Sequence, residues 1–420
     1  MTDIVDELKW RGLLALCTDE EALRKAFADG PVTFYCGFDP TAPSLHMGNL
    51  VQLITMRRIQ DAGNLPLGLV GGSTGLIGDP KPTAERTLNT KETVAEWVER
   101  IRVQVERILD FDGPHAARIV NNLDWTAPLS AIDFLRDVGK HFRVGKMLSK
   151  DAVSARLNSE AGISYTEFSY QILQGLDFLE LYRKYGCTLQ TGGSDQWGNL
   201  TAGVDLIHRA EGVSVHVLGT PLVTKADGTK FGKTETGTVW LDAELMSPYA
   251  FYQFWLNAED SKVEEYLKIF TFRSRDEIGE LAAATEQKPH LRLAQRALAE
   301  DVTTLVHGAD QFTRVEAASR ALFGQGELTS LDEQTLKAAL AQLPSAGVTE
   351  LRPYFELFAD TGIVPSRSAA RRAIQEGGAY ANNAKIEDVD ASPTEADLLH
   401  GRWLLLRRGR RTLGAVELTR

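Results

Sequence analysis

Five short apolar segments, set apart by helix-length stretches, constrain the fold of this chain more than any other feature. They are PVTFYCGF (31–38), NLPLGLVGG (64–72), ARIVNN (117–122), CTLQTGG (187–193) and VHVLG (215–219). Residues 46–61 between the first two read as a helix. Residues 91–110 read as another, with apolar Val94, Trp97, Val98, Ile101, Val105, Ile108 and Leu109 recurring at helical spacing. A third spans 163–185, and SDQWGNLTAGVDLIHRA (194–210) opens a fourth. Strands separated by helices pair in parallel, because only a crossover returns the chain to the same edge direction. The sequence therefore predicts a parallel sheet covered by helices within residues 30–220. Residues 1–29 read as a helix in front of it. From about residue 244 the pattern becomes helical throughout, and LAQLPSAGVTELRP (340–353) has the Pro, Ser and Gly content of a linker.

Composition excludes several classes. A chain of 420 residues, 43% hydrophobic, buries a large core and splits into two or three domains. No apolar run reaches the roughly 18–20 residues of a membrane span. The first residues are acidic and amphipathic rather than basic and then apolar, so no signal peptide is expected. Cys17, Cys36 and Cys187 form no CxxC pair, and a reduced cytoplasmic protein is expected. The net charge of −11 argues against coating nucleic acid over the whole surface. Residues 361–420, however, hold ten Lys or Arg against seven Asp or Glu, so the tail is basic on an acidic body.

Four stretches suggest a site. FDPTAPSLHMGN (38–49) puts Asp39, Thr41, His46, Gly48 and Asn49 between a strand and a helix start. On the helix 163–185, Tyr170, Gln174 and Asp177 fall within about 60° of one another, a donor and acceptor set suited to a small zwitterion. The loop TGGSDQWGN (191–199) lets backbone N–H groups approach a ligand, and Asp195 suits sugar hydroxyls. TKADGTKFGKT (224–234) spaces Lys225, Lys230 and Lys233 with glycines, as a closing phosphate-binding loop does. Taken singly, these also fit a solvent-exposed helix face, a plain turn and a basic hairpin. No P-loop motif precedes a helix and no GxGxxG follows the first strand, so a P-loop ATPase or a dehydrogenase is poorly supported.

Taken together, the stretches resemble class I aminoacyl-tRNA synthetases of the bacterial tyrosyl type. HMGN (46–49) is similar to the HIGH signature, with Asn49 at its second histidine. KFGKT (230–234) is similar to the KMSKS signature. YCGFDPTAPSLHMGN, GSTGLIGDP, YTEFSYQILQGLDF and QTGGSDQWGN follow in the family's order, and PSRSAARRAIQEGGAYANNAKIED resembles an S4-type RNA-binding domain. The resemblance implies a Rossmann-like α/β catalytic domain over 1–220, then the KFGKT loop and an α-helical anticodon-side domain over 221–345. A linker (346–352) and a small α+β S4-like domain (353–420) follow.

It also implies residue roles. Tyr35 and Asp177 hydrogen-bond a substrate phenol. Asp79, Tyr170 and Gln174 hold its ammonium, and Gln196 lies near its carboxylate. Cys36, Gly37, Asp39, Gly192 and Asp195 meet the ATP ribose and adenosine, and adenine packs at Gly48. Thr41, His46 and Asn49 stabilise the transition state. Lys81, Arg86, Lys230, Lys233 and Thr234 form a mobile pyrophosphate clamp. ATP and tyrosine are the expected small substrates and tRNA(Tyr) the partner. Mg²⁺ is expected with ATP, with no metal held by protein side chains. A cytoplasmic homodimer is implied. Arg367, Arg371, Arg372, Arg407, Arg408, Arg410 and Arg411 are the candidate RNA contacts. The alternatives are a tryptophanyl-type relative, which would lack the Tyr35/Asp177 pair, and an inactive RNA-binding scaffold.

Overall fold

A computed structural model describes residues 3–80, 87–160, 162–234 and 237–419, with backbone alone at Asp151, Ala152, Lys233 and Thr234. The chain forms two compact units, one of residues 1–245 and 258–294, the other of 246–257 and 295–420.

The first unit is built on a six-stranded sheet. Its strands are β1 (Leu16–Cys17), β2 (Thr33–Phe38), β3 (Leu65–Val70), β4 (Arg118–Asn121), β5 (Leu189–Gly193) and β6 (His216–Thr220), in the order β1-β6-β5-β2-β3-β4. β2 to β6 are mutually parallel and β1 closes the edge antiparallel to β6. All five predicted strands are present. The strand order reverses between β2 and β5, the position at which open parallel sheets bind ligands beyond the carboxyl ends of their strands. Pairing between those two strands ends at Tyr35–Gln190, whereas β5 stays paired to β6 as far as Gly193–Thr220. The chain beyond Tyr35 and Gln190 therefore diverges, and a crevice opens there.

Four helices pack on this sheet: α1 (Met47–Asp61), α2 (Lys91–Glu106), α3 (Tyr165–Tyr185) and α4 (Trp197–Glu211). α1 is buried on nearly every side, from Leu50 through Met56 and at Ile59, which explains its lack of a polar stripe. α3 buries Ile172, Leu176, Phe178 and Leu179 against Leu200, Leu206 and Ile207 of α4. Gly186 stops α3 in the left-handed conformation (φ 63°). The N-terminal expectation needs correction. Within residues 3–29 the chain forms two helices, Ile4–Trp10 and Glu20–Asp29, with β1 between them. Gly12 at φ 71° turns the chain after the first helix, and the edge of β6 offers Leu16 and Cys17 backbone partners that periodicity does not register.

The second unit contains helices Pro248–Leu256, Ala309–Leu322 and Glu333–Leu340, most of Leu293–His307, and a five-stranded sheet. After the short hairpin of β7 (Lys233–Thr234) and β8 (Gly237–Thr238) in the first unit, the strands of that sheet are β9 (Ser345–Val348), β10 (Ala379–Ala381), β11 (Ala384–Lys385), β12 (Trp403–Arg408) and β13 (Thr412–Leu418). Their order is β11-β10-β12-β13-β9. Leu357, Phe358, Ile374, Leu404, Leu406 and Val416 form the core of this tail. β9 lies inside the stretch whose composition suggests a linker, yet it pairs in parallel with β13. Asn383 Nδ2 donates to the Ala321 carbonyl (2.7 Å), so the tail also hydrogen-bonds to the helical part of its unit. Among the described residues no helix is long and apolar enough to cross a membrane.

Candidate active site

A cleft of about 500 Å³ occupies the crevice, within the range of sites that enclose a small molecule. Tyr35, Cys36, Gly37, Asp39, Thr41, His46, Gly48, Asn49, Asp79, Tyr170, Gln174, Asp177, Gly192, Asp195, Gln196 and Lys230 all line it. Fourteen of these sixteen come from three segments far apart in sequence, 35–49, 170–177 and 192–196, brought together by the strand order. Lys81 and Arg86 lie outside the described residues, as do the side chains of Lys233 and Thr234, whose backbone forms β7.

One end of the cleft is deep and polar. Tyr35 rises from β2 with its ring 5.2 Å from that of Phe178. Its hydroxyl is buried and has no hydrogen-bond partner among the described residues. Gln174 Oε1 is likewise buried without one. Asp177 is buried too, and its two oxygens take Trp125 Nε1–H (2.9 Å) and Asn122 Nδ2–H (3.0 Å). Burial outweighs these two donors and pushes its pKa up to about 8. The Tyr35 hydroxyl and the Asp177 carboxyl thus form a pair suited to a hydroxyl at the tip of an aromatic ligand. Asn122 also donates to Thr74 Oγ1 (2.9 Å), Thr74 donates to Asp39 Oδ1 (2.6 Å), and the Tyr170 hydroxyl donates to Asp39 Oδ2 (2.6 Å). Asn122, Trp125 and Thr74 carry no signal of a site in the sequence. They lie on short connecting segments with no periodicity, and only the fold brings them under α3.

The other end is basic and open. His46 caps α1: its Nδ1 accepts from Gly48 N–H (3.1 Å). An accepting Nδ1 leaves the ring proton on Nε2, a donor. Burial within the cleft, with Lys230 nearby, holds the His46 pKa below its usual value, so the ring is neutral at pH 7. A Cβ at position 48 would sit 3.0 Å from His46 Cε1, so glycine there gives the ring its place. Asn49 returns the cap, its Oδ1 accepting from His46 N–H (3.1 Å). That leaves the Asn49 side-chain NH₂ as a donor. The first three amides of α1 are all occupied, since Met47 N–H donates to the Val239 carbonyl (3.3 Å) and Asn49 N–H to that of His46 (2.9 Å). Anion recognition here falls to side chains.

Val239 also joins the two signature segments. Its N–H donates to the Gly232 carbonyl (2.9 Å) while its carbonyl receives Met47 N–H. Gly232 has φ 89°, and a Cβ there would lie 2.5 Å from Met47 Cβ, so only glycine lets the KFGKT segment sit on the start of α1. Phe231 packs 4.2 Å from the ring of Tyr266. Lys230 is exposed in the cleft. Between the two ends, Gly37 is an exposed strand residue whose missing Cβ opens backbone to the cleft, and Asp195 is exposed at its rim. The Cys36 thiol is buried and pushed up to about 12, so it is a neutral hydrogen-bonding group and not a nucleophile.

Among the candidate RNA contacts, three are engaged within the tail. Arg367 pairs with Glu356 (3.2 Å), Arg371 pairs with Asp390 (2.7 Å) and stacks over Phe355, and Arg407 stacks over Tyr380. Arg372, Arg408, Arg410 and Arg411 are exposed and meet no carboxylate among the described residues. The last three flank the tight β12–β13 turn at Gly409.

A profile described as tRNA synthetases class I (W and Y) matches residues 28–324. The chain belongs to the class I tRNA synthetase family. A second profile, described as Tyrosine--tRNA ligase SYY-like C-terminal domain, matches residues 335–414. A relative named Tyrosine--tRNA ligase from Streptomyces avermitilis is 73% identical over 420 residues, with both chains covered in full. One of the same name from Streptomyces coelicolor is 68% identical over the same span and coverage. A crystal structure of a C-terminally truncated mitochondrial tyrosyl-tRNA synthetase from Coccidioides posadasii superposes with TM-score 0.67 at 31% identity. It covers 75% of this chain and 91% of that one. A tryptophanyl-tRNA synthetase from Plasmodium falciparum, 14% identical at TM-score 0.56 over 79% of this chain and 87% of that one, shares the synthetase fold.

Proposed function

We propose that this synthetase activates L-tyrosine with ATP, releasing pyrophosphate, and passes the tyrosyl group from tyrosyl-AMP to the 3′-terminal adenosine of tRNA(Tyr). The observation that carries this reading is the polarity of the cleft: an aromatic end closed by Tyr35 and Asp177, and a donor end at His46, Asn49 and Lys230.

Tyrosine enters with its phenol toward Tyr35 and Asp177, its ammonium toward Asp79, Tyr170 and Gln174, and its carboxylate near Gln196. Cys36, Gly37, Asp39, Gly192 and Asp195 take the nucleoside, with adenine over Gly48. The carboxylate is already ionised at pH 7, so attack on the α-phosphorus needs no general base. The barrier lies in aligning two anions and in charge developing on phosphate oxygens. Thr41, His46 Nε2–H, the Asn49 amide and Lys230 are donors that bind that charge more strongly in the transition state than before it. Lys81, Arg86, Lys233 and Thr234 complete the clamp on the leaving pyrophosphate. Among the described residues no group of three His, Cys, Asp or Glu is placed to hold a metal ion. Mg²⁺ bound with ATP would offset the charge of the phosphates.

Residues 1–220 carry activation, 221–345 the KFGKT loop and anticodon-side helices, and 353–420 the RNA-binding tail beyond 346–352. Arg372, Arg408, Arg410 and Arg411 are the RNA-facing arginines, and Arg367, Arg371 and Arg407 shape that surface. A homodimer is supported by large apolar side chains standing in solvent within residues 132–165, including Ile132 (70% exposed), Val144 (60%) and Tyr165 (66%). The location proposed is the bacterial cytoplasm, where the tRNA is. Amino-acid-dependent ATP–pyrophosphate exchange tests the reading. Exchange with tyrosine supports it, exchange with tryptophan alone overturns the specificity, and none with any amino acid leaves a scaffold.

A further inference from the structure

Asn199, in the first turn of α4, and Lys150, at the start of helix Asp151–Leu157, are absent from the cleft wall. They nevertheless control two groups that are on it. Asn199 Nδ2 donates to Asp79 Oδ1 (3.0 Å) and to Gln196 Oε1 (2.9 Å). Asn199 Oδ1 accepts from Lys150 Nζ (2.8 Å). Lys150 reaches it by crossing Gly198, where a Cβ would stand 3.2 Å from Lys150 Cε.

The sense of this relay is forced by chemistry. An ammonium has three donors and no acceptor, so it can only face the oxygen of Asn199. The Asn199 NH₂ must then face the other way, toward Asp79 and Gln196. A carboxylate accepts, so Asp79 is compatible. Gln196 is compatible only with its oxygen toward Asn199, which turns its NH₂ away, toward the cleft that Gln196 lines. Without Asn199, the Gln196 amide has two orientations close in energy, one presenting oxygen to an incoming carboxylate.

We infer that Asn199, oriented by Lys150, is a positioning residue for the backbone end of the amino acid: it presents Gln196 as a donor to the carboxylate and holds Asp79 for the ammonium. The inference rests on the proposed roles of Asp79 and Gln196. Specificity at the phenol and at ATP is outside its reach, because the relay ends at these two residues.

The test is pyrophosphate exchange by the full chain carrying Asn199→Ala, Asn199→Asp, Lys150→Met, Gln196→Ala and the Asn199→Ala/Gln196→Ala pair. The KM for tyrosine is expected to rise about 10-fold in Asn199→Ala, with the KM for ATP within about 2-fold of the parent. Asn199→Asp, which offers Gln196 an acceptor and sets a charge beside Asp79, is expected to lose more. Lys150→Met acts from outside the cleft and is expected to change tyrosine KM in the same direction, by about 3-fold. The double variant is expected to lose clearly less than the product of the two single losses, since the part of the Asn199 effect that acts through Gln196 is absent when Gln196 is, and only the hold on Asp79 is left to lose. A tyrosine KM unchanged in Asn199→Ala while Gln196→Ala raises it overturns the inference alone. So do independent, multiplying effects in the double variant, or an equal rise in both KM values, the mark of a merely structural loss. An unchanged tyrosine KM in Gln196→Ala overturns the site assignment, and the inference with it.

Discussion

Tyr35→Phe isolates the hydroxyl on which the proposed phenol recognition turns. That hydroxyl is buried with no hydrogen-bond partner among the described residues. A buried hydroxyl without a hydrogen bond costs about 1–3 kcal/mol. Phenylalanine fills the same space, keeps the contact with Phe178 and removes the orphan, so the ligand-free variant is expected to be about 1 kcal/mol more stable. With tyrosine bound, the hydroxyl gains a partner, and a neutral hydrogen bond is worth about 0.5–1.5 kcal/mol net. Its loss weakens tyrosine about 2- to 10-fold. Phenylalanine as substrate leaves the hydroxyl unpaired in the parent and loses nothing in the variant. The signature is therefore a pair of opposite signs: a higher denaturation midpoint without ligand, and a lower ratio of tyrosine to phenylalanine in kcat/KM. Urea unfolding followed by fluorescence and pyrophosphate exchange with both amino acids measure the two. A variant less stable than the parent, or one with an unchanged ratio, would refute the argument.

Asp177 carries a pH dependence. Its pKa is raised from 3.8 to about 8, so the folded protein binds a proton that the unfolded chain releases. Its contribution is full below pH 3.8 and is lost as pH rises through about 8. Asp177→Asn is expected to remove that slope from ligand-free stability while lowering stability overall, because one amide cannot accept from both Trp125 and Asn122; titrating the denaturation midpoint from pH 5 to 9 checks this. Gly232→Ala forces a Cβ onto Met47, and is expected to raise the KM for ATP at least about 10-fold with tyrosine KM unchanged, measured by exchange. Reversing Arg408, Arg410 and Arg411 to Glu is expected to spare exchange and impair tRNA charging, with the log–log salt slope of tRNA binding reduced by about 2–3.

The parallel sheet was legible because a strand buried on both faces writes an uninterrupted apolar run, as in LPLGLV, and the helices between strands write their own period. The N-terminal β1 was not, because two residues at a sheet edge pair through backbone, which leaves no side-chain pattern. β9 was hidden for the same reason: Ser, Ala and Gly read as linker until β13 lies beside them. At the site, residues with unusual types in unusual places stood out, such as His46 at a helix start and Asp177 in an apolar helix. Those that support them, Asn122, Trp125, Thr74, Asn199 and Lys150, are ordinary residues in ordinary segments.

The sequence by itself determined the alternation that dictates a parallel sheet, the donor and acceptor types at the cleft-lining positions, and the glycines at 48 and 232. These are local properties, set by each residue's own chemistry and its near neighbours. The tertiary structure decided that β2 and β5 part beyond Tyr35, that Val239 joins Gly232 to Met47, and that Asn49 caps with its oxygen and so exposes its amide. It decided also that Lys150 fixes the sense of the relay to Gln196. A hydrogen bond has a direction only once both partners are in place, and chain separation of 49 residues between Lys150 and Asn199 carries no trace of it.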